Sequence, residues 1–385
     1  MSLKFHALEV GSGDAFLLEN NGWYCLFDAG GAKKKIVDLL KEKGIRKLDL
    51  AICSHNDKDH ANGFLGLLEL NSGIDIDEIW LPGTWAKIIE FVVHNGIPFR
   101  EIEYYYDRYK NMVRDREIKP FMLENKDTEE VPIESIERDL SILSEIIYSG
   151  QKEKDKFKNY ERFIDYHLKK RRIDKEYWRR QYHILTYNKL KSELKEPHVN
   201  LNNIIEIANS AHRKGCRIKW FEPAKIQIKK YPHEGFLALN SNFTSQIKEI
   251  PNVMSLAIYL ALTMENIYSL AFEYYKEGIP IVRFSADSDC VCQSVDPYKN
   301  NIIVTAPHHG SDANANVYSM IKGDNIIWVR SDRIRSKRPC QVFKNMNDKH
   351  CLACCKHSFK KEICFRYDYA NKKWIKQKGN ACRCK

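Results

Sequence analysis

Short apolar runs bounded by turn residues alternate with helical patterns along the first 85 residues of the chain. Residues 3–10, 23–27 and 48–54 form compact apolar runs, which is the pattern of buried strands. Residues 34–43 and 61–70 carry apolar side chains at the spacing of a helix that buries one face. The alternation predicts an α/β fold for this part of the chain.

The pattern changes near residue 96. The segment 96–210 is rich in tyrosine and charged residues and poor in glycine, and 140–147 has the apolar spacing of a helix. We therefore expect a helical insertion, which serves either as a lid over a site or as a surface for a protein partner. Strand-like apolar runs resume after residue 211, so the core is expected to comprise 1–95 and 211–335.

Composition places the chain among folded proteins, since 43% of its residues are hydrophobic and 11% are aromatic. No stretch approaches the roughly 18 uninterrupted apolar residues that a membrane span needs. The N-terminal residues lack the basic flank and apolar block of a signal peptide. These observations predict a soluble, cytoplasmic protein that does not associate with a membrane.

The net charge of +11 is concentrated at the C-terminus. Residues 336–385 hold 14 of the 62 basic and 3 of the 51 acidic side chains, so the rest of the chain balances at 48 of each sign. Basic residues gathered in one small segment favour a polyanionic partner such as nucleic acid. A lysine-rich solvated surface is the alternative.

The same tail holds seven of the 12 cysteines. Cys351 and Cys354 have the two-residue spacing with which both thiolates reach one tetrahedral Zn²⁺, and Cys382 and Cys384 could supply a second pair. Strand-like runs at 363–369 and 373–377 predict a hairpin that brings the pairs together. A small Cys-rich module with a structural zinc is therefore expected, with free buried thiols or a disulfide as alternatives.

The strongest chemical signal is the segment 54–60, SHNDKDH, directly after a buried strand. Its four ligand-type side chains are His55, Asp57, Asp59 and His60. In an extended chain, side chains two positions apart point the same way, so such residues can converge on a metal ion. A polar turn capped by an aspartate is the simpler alternative, but four possible ligands in six positions argue against it.

Two later strand ends fit the same site. One apolar run ends at Asp287, and another ends at the adjacent histidines His308 and His309. Ligands bind outside the carboxyl ends of the strands in open α/β sheets. We therefore expect these three side chains to approach the 54–60 segment.

Taken in order, these motifs resemble the metallo-β-lactamase superfamily, whose signature is HxHxDH, and in particular its ComEC-type DNA-uptake branch, in which the second histidine is an aspartate. The segments that match this branch are GSGDA at 11–15, FDAG at 27–30, NVMSL at 252–256 and PHHGS at 307–311. The resemblance implies an αββα sandwich, here with the helical insertion and the Cys-rich module added.

The resemblance also implies a ligand set. His55 and Asp57 would bind one cation, Asp59 and His60 a second, and Asp287 would bridge the two. The chain departs from the superfamily in one respect, because no residue clearly supplies its middle histidine.

Further roles follow from the same resemblance. His309 would complete the second cation site, and His308 would contact the scissile group. Asp59 would act in catalysis as well as in metal binding. Asp28 and Asp14 would orient the ligands through hydrogen bonds.

These roles predict a metal-dependent hydrolase, a phosphodiesterase or nuclease that uses a hydroxide held between two divalent ions. Zinc or manganese is expected, and magnesium or iron also suits a site with added carboxylates. A hydrolase of a small ester, lactone or phosphoester is one alternative, because fold alone does not choose the substrate. A metal-containing binding or regulatory protein without catalysis is another.

Overall fold

The computed structural model describes residues 2–95, 130–132, 197–224, 235–244, 246–248, 269–289, 299–332, 338–354, 362–379, 382 and 384. The chain divides into two compact units. The first comprises Met1–Gly83, Lys214–Thr244 and Thr263–Lys385, and the second Thr84–Arg213 and Ser245–Leu262. The predicted insertion at 96–210 falls largely outside the described residues, as does the NVMSL motif at 252–256.

Strands predominate over helices among the described residues. The strands run in chain order as β1 Leu3–Leu8, β2 Phe16–Asn20, β3 Trp23–Phe27, β4 Lys47–Ile52, β5 Asp75–Pro82, β6 Glu130–Pro132, β7 Arg217–Pro223, β8 Phe236–Ala238, β9 Ser241–Thr244, β10 Gln246–Lys248, β11 Phe272–Lys276, β12 Ile279–Phe284, β13 Ile303–Thr305, β14 Ile327–Arg330, β15 Lys349–Cys351, β16 Glu362–Asp368 and β17 Lys373–Lys378. The α-helices of the described residues are α1 Lys33–Glu42, α2 Lys58–Leu67, α3 Gly83–Asn95, α4 Pro197–Arg213, α5 Val317–Met320 and α6 Gln341–Asn345.

Two mixed sheets form the first unit, which confirms the predicted α/β class. The larger has the order β17-β16-β1-β2-β3-β4-β5-β7-β9, with β3, β4, β5 and β7 parallel to one another. The smaller has the order β15-β14-β13-β12-β11-β8, with β12 to β15 parallel. Central strands such as β13 and β14 are buried along their whole length, as their continuous apolar runs predict.

An aromatic core joins the two sheets. The rings of Phe27 on β3 and Phe284 on β12 stack with centroids 4.7 Å apart, and Trp80 on β5 lies 5.2 Å from Phe272 on β11. Phe5 on β1 lies 6.1 Å from Phe284. Aromatic rings at these separations add packing energy to their hydrophobic burial, so this cluster fixes how the sheets face each other.

The predicted hairpin of the tail is present and is built into the larger sheet. β16 pairs with β1 so that Phe365 lies opposite Phe5, and β17 forms the edge. His6 on β1 lies with its Nδ1 2.6 Å from Oε1 of Glu362. Trp374 on β17 donates from its indole nitrogen to the carbonyl of Ile281 in the smaller sheet, at 2.9 Å. The tail therefore contributes to both sheets.

In the second unit, β6 pairs antiparallel with β10, and α4 is a helix of 17 residues. Among the described residues, no helix combines the length and apolar character needed to cross a bilayer.

Replacing Phe284 tests the core between the sheets. Phe284 is 0% exposed, so Phe284→Ala leaves a cavity and is expected to lower the free energy of unfolding by about 3–5 kcal/mol. Urea denaturation measures this change. Phe243→Ala is the control, since Phe243 is 48% exposed and its loss should cost less than about 1 kcal/mol. Equal losses for both variants would contradict the assignment of the core.

Candidate metal centre

The candidate site lies where several strands end. Asp28 follows β3, the 54–60 segment follows β4, Asp287 follows β12, and the 308–309 pair follows β13. Asp57 occupies the N-cap of α2, but its side chain makes no capping hydrogen bond and instead lies with Oδ2 3.7 Å from Nε2 of His55. The segment is therefore more than a polar turn closed by an aspartate.

One oxygen of the Asp287 carboxylate faces two imidazoles. Its Oδ1 lies 3.1 Å from Nε2 of His60 and 3.7 Å from Nε2 of His309. The Nε2 atoms of the two histidines are 2.9 Å apart. Oδ2 of Asp59 lies 3.4 Å from Nε2 of His309. Ligand atoms of His60, His309, Asp287 and Asp14 all lie within 4.8 Å of one another, and Asp59, the predicted ligand, lies beside His309.

The other oxygen faces a second pair. Oδ2 of Asp287 lies 3.4 Å from Nε2 of His308 and 3.8 Å from Nε2 of His55. With Asp57 beside His55, this gives a second group of candidate ligands. Asp287 is the residue that the two groups share.

Hydrogen bonds at Nδ1 orient the first pair of histidines. Nδ1 of His60 lies 2.7 Å from Oδ2 of Asp28, and Nδ1 of His309 lies 2.9 Å from Oδ1 of Asp14. A carboxylate only accepts, so both Nδ1 atoms carry the hydrogen and each ring directs its Nε2 to the centre. Asp28 and Asp14 thus lie within hydrogen-bonding distance of the two rings, and Asp14 also belongs to the group of candidate ligands.

The second pair is held in the same way. The hydroxyl of Ser54 donates to Asp28 at 2.7 Å and is 2.8 Å from Nδ1 of His55, from which it can therefore accept. Nδ1 of His308 lies 3.0 Å from the side-chain oxygen of Asn314. Sequence reasoning did not find Ser54 or Asn314, because neither belongs to a recognisable ligand pattern.

The electrostatics of the site favour positive charge. Burial acts to lower the pKa of His309, but the carboxylates of Asp14 and Asp287 raise it to about 10. Burial likewise opposes the charged form of His60, whose pKa the carboxylates of Asp287 and Asp28 raise well above its usual value. Although burial acts to raise the pKa of Asp287, the charges of His60 and His309 lower it well below the usual range. An environment that stabilises imidazolium also stabilises a metal cation.

Strained backbone surrounds the site. Positive φ angles occur at Asp28 (57°), Ala286 (45°), His308 (47°) and His309 (53°). Such conformations cost of order 1–3 kcal/mol each when the residue is not glycine, and they persist where surrounding contacts enforce them. Here they occur where β3, β12 and β13 end, beside or within the groups of candidate ligands.

The four predicted zinc ligands of the tail also come together. The thiols of Cys351, Cys354, Cys382 and Cys384 lie within 4.8 Å of one another. Two other tail cysteines, Cys340 and Cys364, are buried elsewhere, and Cys355 lies outside the described residues.

Neither a scan against protein-family models nor a search of curated proteins finds a match for this chain.

Alanine substitutions at Gly13 and Gly11, both in the GSGDA turn, test whether this turn supports the Asp59 loop. Both have φ near +90°, but a Cβ at Gly13 would lie 1.5 Å from the carbonyl oxygen of Asp59, whereas one at Gly11 would meet nothing within 4 Å. Gly11→Ala is expected to cost about 1–2 kcal/mol from backbone strain alone. Gly13→Ala should cost at least about 2 kcal/mol more, because the Asp59 loop must move.

Urea denaturation with a chelator present separates this cost from any loss of metal. Similar unfolding free energies for the two variants would show that the turn does not support Asp59.

Proposed function

We propose that the protein is a metal-dependent phosphodiesterase or nuclease with a metallo-β-lactamase sandwich fold. The observation that carries the proposal is the position of Asp287, each of whose carboxylate oxygens faces two imidazole Nε2 atoms. A carboxylate shared in this way is suited to bridging two cations. The ordered motifs of the sequence support the same assignment.

The chemistry of the side chains fits two divalent ions. His55, Asp57 and Oδ2 of Asp287 would hold the first. His55 is only 3% exposed, and its Nε2 has no hydrogen-bond partner among the described residues. A buried nitrogen without a partner costs free energy, and a cation between it and the two carboxylates would remove that cost.

Asp59, His60, His309 and Oδ1 of Asp287 would hold the second ion. The Nε2 atoms of the two histidines lie 2.9 Å apart. Two ring nitrogens at this distance need positive charge between them, which a proton supplies in the free protein and which a bound cation would supply in its place.

Bound divalent ions would supply Lewis acidity and an activated water, and the carboxylate of Asp57 makes the first site suitable for manganese as well as zinc.

Among the four histidine side chains, that of His308 is the most exposed, at 18%. We therefore assign it to contact with the scissile group. Burial lowers the pKa of His308, and the charge of Arg338 lowers it further although Asp287 opposes this. The neutral ring can then accept a proton near neutral pH.

The tail favours a polyanionic substrate. Its excess of 11 positive charges lies in the same compact unit as the centre. The backbone N–H of Cys340 donates to the carbonyl of Gly310, next to His309, at 2.8 Å. The basic segment therefore begins beside the ligand loop. Lysines on the edge strand β17 also discourage pairing between sheets, so part of the charge has a structural purpose.

Asp287→Asn tests the shared carboxylate, since it keeps the shape and removes the charge. The amount of metal bound per chain should fall. Cleavage of single-stranded DNA, duplex DNA or RNA with Mn²⁺ should drop at least about a hundredfold, because loss of a residue that only orients a ligand already costs up to about that much. The matched control is Asp324→Asn, an exposed aspartate of the same unit. Wild-type protein that neither binds polynucleotide at low salt nor cleaves it with Mn²⁺ would overturn the proposal, and a preference for a small chromogenic ester would redirect it.

The adjacent histidines are expected to differ. His309→Ala should lower both metal content and turnover, because its Nε2 would be a ligand. His308→Ala should lower kcat by about 10²–10⁴-fold, the range for a positioned acid or base, while metal content stays unchanged. Metal analysis beside steady-state kinetics distinguishes them. Loss of metal from His308→Ala would instead make His308 the ligand that replaces the superfamily's middle histidine.

A further inference from the structure

The C-terminal thiol cluster has the dimensions of a zinc site. Sγ of Cys354 lies 3.3 Å from that of Cys384 and 3.8 Å from that of Cys382. In a tetrahedron with Zn–S bonds of about 2.3 Å, neighbouring sulfurs are about 3.8 Å apart. The four thiols, all within 4.8 Å of one another, therefore need only a small contraction to enclose an ion.

The chain delivers the four thiols from two directions. Cys351 ends the edge strand β15, and Cys354 ends the 3-10 turn that follows it. Cys382 and Cys384 lie beyond β17, and the backbone N–H of Cys382 donates to the carbonyl of Lys349 at 3.1 Å. A metal here would fasten the end of the chain to the edge of the smaller sheet.

A buried arginine connects this cluster to the histidine centre. Arg330 lies opposite Cys351 in the pairing of β14 with β15 and is 0% exposed. Its Nη1 donates to Sγ of Cys351 at 3.1 Å, and its Nε donates to the carbonyl of His309 at 2.6 Å. Its Nη2 lies 3.6 Å from Asp332, whose other carboxylate oxygen accepts from the backbone of Gly13. The guanidinium thus reaches both sites.

We propose that Cys351, Cys354, Cys382 and Cys384 bind one structural Zn²⁺, and that Arg330 transmits the order of this site to His309. Four thiolates around Zn²⁺ carry a net charge of −2, and N–H donors to sulfur are the usual outer-shell support of such a site. With its sulfur acceptor fixed, the guanidinium would hold the His309 carbonyl in one position. Arg330 is then a positioning residue. Zinc binding does not depend on the proposed function, whereas the link to His309 rests on it.

Cobalt substitution of the full chain tests the thiolate site directly. Co²⁺ bound by thiolates gives a near-ultraviolet charge-transfer absorption that a histidine and carboxylate site lacks. This band is expected in the wild type and in Asp287→Asn, and should be lost in Cys384→Ser. Cys340→Ser, a tail cysteine outside the group, should keep it. Cys384 is only half-buried and lies outside both sheets, so its serine variant is expected to fold. Zinc analysis should show one equivalent fewer in Cys384→Ser than in Cys340→Ser.

Absence of the band from the wild type, or a disulfide among the four cysteines under reducing conditions, would overturn the zinc site. Persistence of the band in Asp287→Asn separates this result from failure of the proposed function.

The link to His309 is measured as the Mn²⁺ affinity of the histidine centre, compared between the wild type with zinc bound only at the four thiols and each variant. Cys384→Ser and Arg330→Lys are both expected to weaken this affinity about 10–100-fold, the range for outer-shell residues. Arg330→Lys should retain the cobalt band, since all four thiols remain. If Cys384→Ser lost its zinc and bound Mn²⁺ with unchanged affinity, the coupling would be disproved. That variant leaves Arg330 intact, so the result stands even if Arg330→Lys does not fold.

Discussion

The carboxylate of Asp287 is the constraint on which the centre depends. It is 1% exposed and lies within 3.8 Å of four imidazole nitrogens. A carboxylate buried to this extent is stable only when opposite charge compensates for its lost hydration. Every strand end that supplies a histidine must therefore be held at a fixed distance from the end of β12. This requirement explains the hydrogen bond at each histidine Nδ1 and the positive φ angles around the site.

The core between the sheets meets this requirement. Phe27 directly precedes Asp28, and Phe284 lies three positions before Asp287. Their rings stack with centroids 4.7 Å apart. The packing that joins the sheets thus also sets the distance between Asp28 and Asp287, which lie on opposite sides of the His60 ring. A change in that packing would be transmitted to the centre over a few bonds, since a dense core does not absorb small displacements.

Local patterns were enough to predict the α/β class and several strands, and they drew attention to His55, His60, Asp287 and His309, which lie close together. The signals were apolar runs that end in histidine or aspartate. Each such signal is contained in a segment of about ten residues. The hydrogen bonds of Asn314 and Arg330 could not be predicted, because they join segments whose proximity depends on the whole fold. The pairing of β16 with β1 is of the same kind, since it joins Phe5 to Phe365 across nearly the full chain. Sequence periodicity specifies a strand but not its neighbour.

The position of the tail changes how its charge and cysteines should be interpreted. β16 covers the edge of β1, and β15 extends the smaller sheet, so the tail completes both sheets. Removing it would expose two strand edges, which sheet proteins normally protect. The basic residues that lie on its described strands, such as Lys349, Arg366 and Lys376, are therefore held by the two sheets that also carry the histidine centre. For a polyanion bound along β17, this geometry would limit which part of the substrate reaches Asp287, so a structural zinc in the tail would influence substrate positioning as well as stability.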